Sequence, residues 1–389
     1  MATYRTGIIA CGIIARVHAR AWQGVKGSPT EIGAIADTNP DALREFGEFF
    51  GVAEQHRYLD YRQMLDRERL DFVDVCSWHR QHAEMVIAAA ARRPRAIICQ
   101  KPMAVDLGEA DEMLTACLRN RVKLVIAYQR PHHATWLRAR ELLREGAVGR
   151  VLQIQLDAGG NLLNTNSHNI RLALFLMDEP QVEWVMGAVE RTTEQMERGL
   201  PAEDACLGLA GCENGATILI QGNLVTGLNQ GCRVIGTNGM MELDTTYHPD
   251  SVIPSDAPMH MPEGLSARYN YEIGTVRYMN SESNGWTEVT EPWHDCWSHQ
   301  CQEAIDWIEG RVAKPISEGA RGRAVQEVMM ALFESARKRQ RIYLPLKTRV
   351  SPLRLMVESG DLAVEWPGEY ERRATLVRGE AMSWHEESA

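Results

Sequence analysis

The chain has 389 residues, 44 % of them apolar and 24 % charged, with a formal net charge of −10. That length and balance describe a folded protein of two domains with a large core, and the acidic surplus argues against nucleic acid or an anionic membrane as partner. No apolar run is long enough to cross a bilayer, no export cleavage pattern follows the apolar stretch Gly7 to Ala15, and nine cysteines, set mostly in apolar runs, point to reduced thiols and a cytoplasmic setting.

Thr6 to Cys11 reads as a compact apolar strand, followed by Gly12 and a helix with Ile14, Val17 and Ala21 on one face. The turn Ala10-Cys11-Gly12-Ile13-Ile14-Ala15 is a dinucleotide fingerprint whose first and third glycines are alanine. Gly12 keeps the position where backbone must approach a pyrophosphate, and Ile13 and Ile14 beside it are assigned to the same cofactor site. Glu31 to Ala36 is the next strand, and Asp37 at its end stands where an acid binds a ribose 2′-hydroxyl, which favours NAD over NADP. The other reading of Asp37 is a helix cap; Asn39-Pro40 already reads as N-cap and first helical residue.

The alternation continues through a strand at Leu70 to Ser77, a helix at Gln81 to Arg92 and a strand at Ala96 to Gln100. A helix at Leu107 to Arg121 and a strand at Val122 to Tyr128 complete a doubly wound parallel sheet. The strand Ala96-Ile97-Ile98-Cys99 ends on Gln100, Lys101 and Pro102, and carboxyl ends of such strands are where ligands bind. Pro102 biases Lys101 toward an extended backbone. Lys101 is then either a proton-transfer group beside a cofactor or a lysine reaching solvent. The loop Ser77-Trp78-His79-Arg80-Gln81-His82 leaves a neighbouring strand end and should border the cofactor, with Trp78 as a wall or a packing residue.

Beyond Tyr128 the pattern changes. A helix at Trp136 to Arg144 precedes alternating segments at Val151 to Leu156, Val182 to Val189, Ala205 to Leu209, Ala216 to Gly222, Cys232 to Ile235 and Met240 to Leu243. Turn signals such as Glu213-Asn214-Gly215 and Thr237-Asn238-Gly239 separate several of them, as in hairpins. The expectation is an α+β second domain with a large, mostly antiparallel sheet. Ala304 to Glu309 and Arg323 to Arg337 read as helices, and Ile342 to Leu344 as short and extended. The division is a dinucleotide-binding domain over 1–128, an α+β domain over 129–346 and a tail over 347–389 without strong periodicity. Ser167 reads as the N-cap of a helix bearing Leu172, Phe175 and Leu176, which puts His168 near the positive end of the helix dipole and favours neutral imidazole. His132-His133 and the group His294, Asp295, Cys296 and His299 match no zinc arrangement, so no metal is expected.

These residues together resemble the Gfo/Idh/MocA oxidoreductases, over Thr6 to Leu346. The resemblance rests on the degenerate fingerprint, the Ser77 to His82 loop, Lys101-Pro102, Tyr128-Gln129-Arg130 and Gly159-Gly160 through His168. Glu203-Asp204, Ile235-Gly236-Thr237-Asn238-Gly239, Glu334-Ser335-Ala336 and Leu344-Pro345 complete it. It implies proton transfer at a sugar hydroxyl by Lys101 and His168, with position 164 as third member. It also places Gln100, Lys101 and Gln129 at the cofactor, and Tyr128, Arg130, Asn164, His168 and Arg171 at the substrate. The chain departs from the family pattern where Gln100 replaces Glu, Asn164 replaces Asp, Asn166 replaces Gly and Arg171 replaces Asp. An asparagine cannot act as a base.

The implied activity is NAD-dependent hydride transfer at a sugar, polyol or glycoside carbon in a cytoplasmic homo-oligomer, dimer or larger. The rivals are an enzyme cycling a tightly held NAD through a 3-keto sugar, and a dinucleotide-binding sensor without turnover. The lost acids and the added Arg171 imply that Lys101 titrates below an ordinary lysine, and they suit a carboxylate-bearing substrate.

Overall fold

The computed structural model describes residues 3–157, 160–224, 230–246, 273–291, 295–362 and 364–371. The first sheet is built from β1 (Tyr4–Ile9), β2 (Thr30–Ala36), β3 (Arg57–Tyr58), β4 (Phe72–Val75), β5 (Ala96–Cys99) and β6 (Lys123–Ile126). All its strands are parallel, in the order β3-β2-β1-β4-β5-β6. The helices between them are α1 (Ile13–Gln23), α2 (Pro40–Phe50), α3 (Tyr61–Arg67), α4 (His82–Ala91) and α5 (Leu107–Asn120). Every residue of β4 and β5 is buried, as expected of parallel strands covered on both faces. The strand order reverses between β1 and β4, where such sheets open a crevice. Ile9 lies opposite Val75, Val75 opposite Cys99, and Cys99 opposite Ile126, so the carboxyl ends of β1, β4, β5 and β6 finish level.

After α6 (Ala134–Arg144) come β7 (Val151–Asp157), a single π-helical turn (Leu162–Asn166) and α7 (Ser167–Leu176). The strands β8 (Val182–Glu190), β9 (Thr193–Glu197), β10 (Leu200–Pro201), β11 (Ala205–Cys212), β12 (Thr217–Gly222), β13 (Gln230–Gly236) and β14 (Gly239–Thr246) follow. They lead to β15 (Ile273–Asn280), β16 (Thr287–Thr290), α8 (Cys296–Ile308), α9 (Gly319–Lys338), β17 (Ile342–Tyr343), α10 (Pro352–Ser359) and β18 (Trp366–Glu371). The second sheet has nine strands, ordered β16-β15-β14-β13-β7-β12-β11-β8-β17, and is antiparallel except where β12 meets β7. Its inner face, with Ile154, Ile218, Ile220, Ala210 and Val234, packs under α7 and α9 and is buried. On the other face Met186 and Leu207 remain 48 % and 47 % exposed.

Several features depart from the sequence expectation. β15 and β16 extend the second sheet, and β9, β10 and β18 form a small third sheet in which β18 runs parallel to β9. The start of the tail holds a helix, α10, capped by Ser351 and closed by Gly360 at φ +77°, with Leu353 and Met356 buried against the core. The helix expected at Ala304 begins earlier, at Cys296, where the Asp295 side chain accepts from the Trp297 amide. Its Trp297, Cys301 and Ile305 pack with Trp22 of α1 and Phe72 of β4, so the later chain closes over the first sheet. His294 lies outside the described residues. No helix among the described residues is long and apolar enough to cross a membrane.

Candidate active site

At the end of β1 the chain must turn sharply into α1, and Ala10 does so at φ +73°, the left-handed region where a side chain costs about 1 kcal/mol over glycine. The missing first glycine therefore leaves the turn's shape intact. Asp37 braces it: one carboxylate oxygen accepts the Cys11 amide at 2.7 Å and the other the Asn39 amide at 2.8 Å. The cap of α2 is Asn39, so Asp37 is not the helix cap. Each of its oxygens keeps a lone pair.

Gly12 is the N-cap of α1, with no side-chain cap and no acid in the first turn. A Cβ placed there would meet no atom within 4 Å. The free amides at the start of Ile13 and Ile14 and the helix dipole thus front an open space suited to a pyrophosphate. Asp37, across the same turn, can accept from a ribose diol. The residues present fit a nicotinamide dinucleotide.

Lys101 leaves the end of β5 through a cis Lys101-Pro102 bond. Behind it lies a sealed polar chain. Asp74 of β4, fully buried, accepts from Trp22 Nε1 at 3.0 Å and from His18 Nδ1 at 2.8 Å. His18 Nε2 in turn meets Gln100 Nε2 at 2.5 Å, and Gln100 Oε1 accepts the Lys101 amide at 3.2 Å. His18, Asp74 and Cys76 come close enough to suggest a metal trio, but Asp74 is already engaged by the two ring donors.

The Lys101 ammonium donates to Asn164 Oδ1 at 2.7 Å and to the Asn164 carbonyl at 3.1 Å. Asn164 sits in the π-helical turn, whose first amides are capped by the Asn161 side chain. This turn runs directly into α7, so Ser167 is the first residue of that helix rather than its cap. On the far side, Asn164 Nδ2 and Asn161 Nδ2 donate to the two carboxylate oxygens of Glu197, at 3.3 and 3.4 Å. Arg198 Nη1 lies 3.3 Å from Glu197 and donates to His79 Nε2 at 2.6 Å, which leaves the His79 proton on Nδ1, buried and without a partner. Glu203, also behind the turn, accepts the Leu162 amide, and burial pushes its carboxyl up to about 7. Sequence reasoning named His79 only as part of its loop and missed Glu197 and Arg198.

His168 is buried in the first turn of α7, edge-on to the Tyr128 ring at 5.7 Å, and its Nδ1 has no partner. Burial, and then the nearby charges of Arg130 and Lys101, hold it well below an ordinary imidazole. The neutral form anticipated from a helix dipole is thus due chiefly to desolvation. Gln129 Oε1 and Arg130 Nε and Nη1 are also buried with unused hydrogen-bonding capacity.

Four other expected site residues complete the picture. Arg171 is fully buried and paired with both Glu179 oxygens, at 2.8 and 2.7 Å, and with the Ile316 carbonyl, so its charge is spent in the core and not in the pocket. The two ring nitrogens of His82 lie 3.0 and 2.9 Å from the Ser77 and Pro102 carbonyls, between the β4 loop and the Lys101 loop; burial lowers it to about 4, so the neutral ring donates to one of the two. Ser77 and Trp78 lie half-buried between them, at the carboxyl end of β4.

Residues 4–128 match the model of the "Oxidoreductase family, NAD-binding Rossmann fold", and residues 155–242 match the "GFO/IDH/MocA C-terminal domain". A D-apiose dehydrogenase of Rhizobium rhizogenes is 26 % identical over 82 % of this chain and 89 % of its own length. A D-apiose dehydrogenase of Paraburkholderia graminis is 28 % identical over 56 % of this chain, a match spanning 60 % of that relative. The myo-inositol 2-dehydrogenase of Thermotoga maritima is 26 % identical over 65 % of this chain and 78 % of its own length. The crystal structure of an aldose-aldose oxidoreductase from Caulobacter crescentus superposes with a TM-score of 0.72, covering 88 % of this chain and all of that one. At 20 % identity that likeness speaks for the fold alone. With both halves matched in order, and with this sheet, turn and lysine in place, the chain belongs to the Gfo/Idh/MocA family of oxidoreductases.

Proposed function

We propose that this protein is an NAD-dependent dehydrogenase acting on a hydroxyl-bearing carbon of a sugar, polyol or glycoside. The observation that carries the reading is the placement of Lys101. Its ammonium is fixed by Asn164 at the carboxyl edge of the parallel sheet, with a neutral, unpartnered His168 nearby. The family and the relatives named as sugar and polyol dehydrogenases support it.

Gly12 and the start of α1 would hold the pyrophosphate, Asp37 the ribose, and Ser77, Trp78, Gln100 and Gln129 would border the nicotinamide half. A nicotinamide held there would supply the hydride acceptor for the substrate carbon. Lys101 Nζ takes the hydroxyl proton. Because Asn164 Oδ1 only accepts, a neutral Lys101 still donates one N–H to it and turns its lone pair elsewhere, toward substrate. His168 offers an imidazole nitrogen to the same or the adjacent hydroxyl, while Tyr128 and Arg130 line its far side. The case for an acidic substrate rests on Gln100, Asn164 and Arg171 together; with Arg171 committed to Glu179, a neutral carbohydrate is the better fit.

The test is a panel of sugars, polyols and glycosides with NAD and NADP, followed by absorbance and product mass. Steady NADH formation with a carbohydrate supports the proposal. Product without net NADH points to a cofactor that cycles in place, and tight binding without any turnover to a sensor.

A further inference from the structure

We infer that Glu197 is the carboxylate of the Lys101 centre, set one residue back and acting through the Asn164 amide as a positioning residue and charge partner. This rests on the dehydrogenase reading for its purpose, though not for its test.

The geometry leaves Asn164 one orientation. An ammonium only donates and a carboxylate only accepts, so the amide must present Oδ1 to Lys101 and Nδ2 to Glu197. The amide dipole then lies with its negative end on the cation and its positive end on the anion, and the three groups reinforce one another. Asn161 holds the second Glu197 oxygen, so the carboxylate cannot swing away. Glu197 is itself buried, at 4 % exposure, and a buried carboxylate needs such donors. The sequence pattern suggested a site stripped of acid; the fold returns one from β9.

Other charged groups face the centre. His79 and His168 lie near Lys101 and are kept neutral by burial; Arg130 lies beside His168, Arg198 beside Glu197, and Glu203 behind the same turn. Arg198 offsets part of the Glu197 charge, so the effect on Lys101 is moderate. Removing the Glu197 charge disfavours the ammonium, and the Lys101 midpoint moves to lower pH by about one unit.

Glu197→Gln keeps the size and an acceptor for Asn164 while deleting the charge. Two readouts follow it: the pH dependence of hydride transfer, and the pH dependence of acetic anhydride labelling of Lys101, read by peptide mass and independent of turnover. Both midpoints should fall by about one unit in Glu197→Gln. Both should return to or above the starting value in Asn164→Asp/Glu197→Gln, where the carboxylate touches Lys101 directly. Midpoints unmoved in a variant with native-like thermal unfolding overturn the inference. If Glu197→Gln does not fold, Asn164→Leu severs the same bridge and must give the same downward shift in labelling, an unmoved midpoint again overturning it. A labelling shift with no carbohydrate oxidised keeps Glu197 in this role and removes the dehydrogenase reading. Oxidation with an unmoved midpoint does the reverse.

Discussion

Gln100 Nε2 lies 2.5 Å from His18 Nε2 in a pocket closed to solvent, and the contact has only one polarity. An amide nitrogen donates, so His18 Nε2 accepts and Nδ1 carries the hydrogen given to Asp74. The departure from Glu at this position thus completes a chain of neutral donors running from a buried carboxylate to the backbone of Lys101. Gln100→Leu leaves His18 Nε2 and the Lys101 amide unsatisfied, and should cost about 1–3 kcal/mol of stability. Denaturant unfolding with an unchanged midpoint and slope sinks this account.

Lys101→Ala removes the group proposed to carry the hydroxyl proton. Turnover should fall by about 10²–10⁴-fold, with thermal stability nearly unchanged, since the side chain is only partly buried. Added alkylamine should restore part of the rate. A variant that keeps a tenth or more of the activity excludes Lys101 as that group.

Glu203 makes stability depend on pH in a defined direction. Its folded value of about 7 exceeds the unfolded value of about 4.3, so the folded state holds this proton more tightly. The resulting stabilisation is complete below the unfolded value and is lost as pH rises toward 7. Glu203→Gln does not titrate, so its stability relative to the unaltered protein should rise by on the order of 3 kcal/mol between pH 4.5 and pH 8. Unfolding free energies at those two pH values decide it; an equal difference at both rules it out.

Asp37 should make NAD bind better than NADP, because a 2′-phosphate meets its carboxylate. Asp37→Ala should narrow that gap and also weaken the fingerprint turn, whose Cys11 and Asn39 amides it holds. Calorimetric titration with both dinucleotides is the check, and equal affinities in the unaltered protein refute it.

The half-exposed Met186 and Leu207 on the open face of the nine-stranded sheet lead us to expect a homo-oligomer, dimer or larger. Light scattering at micromolar concentration should show it, and Leu207→Arg should shift it toward monomer. A monomer before substitution removes the expectation.

The first sheet was legible because parallel strands buried on both faces are written as short apolar runs, as in Phe72–Val75 and Ala96–Cys99. Lys101 drew notice at a strand end and His168 at a helix start, while Asn164 was singled out only through the family resemblance. Glu197 could not be found. Its strand, Thr193-Glu194-Gln195-Met196-Glu197, has no sustained apolar alternation, and its partner β18 comes far later in the chain. Arg171 misled because its spacing from His168 places both on neighbouring positions of one helix, while the ion pair that turns it away depends on Glu179, beyond the helix end. His82 showed its loop but not the two carbonyls beside its ring, one of which, Pro102, belongs to another strand's end.

The pairing of β9 with β18 sets an order of completion. Synthesis delivers the strands of the first sheet early, while the helix α8 that closes over them follows only from Cys296. Among the described residues, the strand that carries Glu197 pairs with the two residues of β10 and the late strand β18. The brace that reaches Lys101 through Asn164 and Glu197 is therefore completed only by the last described strand of the chain. A protease that trims the chain ahead of Trp366 should leave a protein that still takes up the cofactor but reacts slowly.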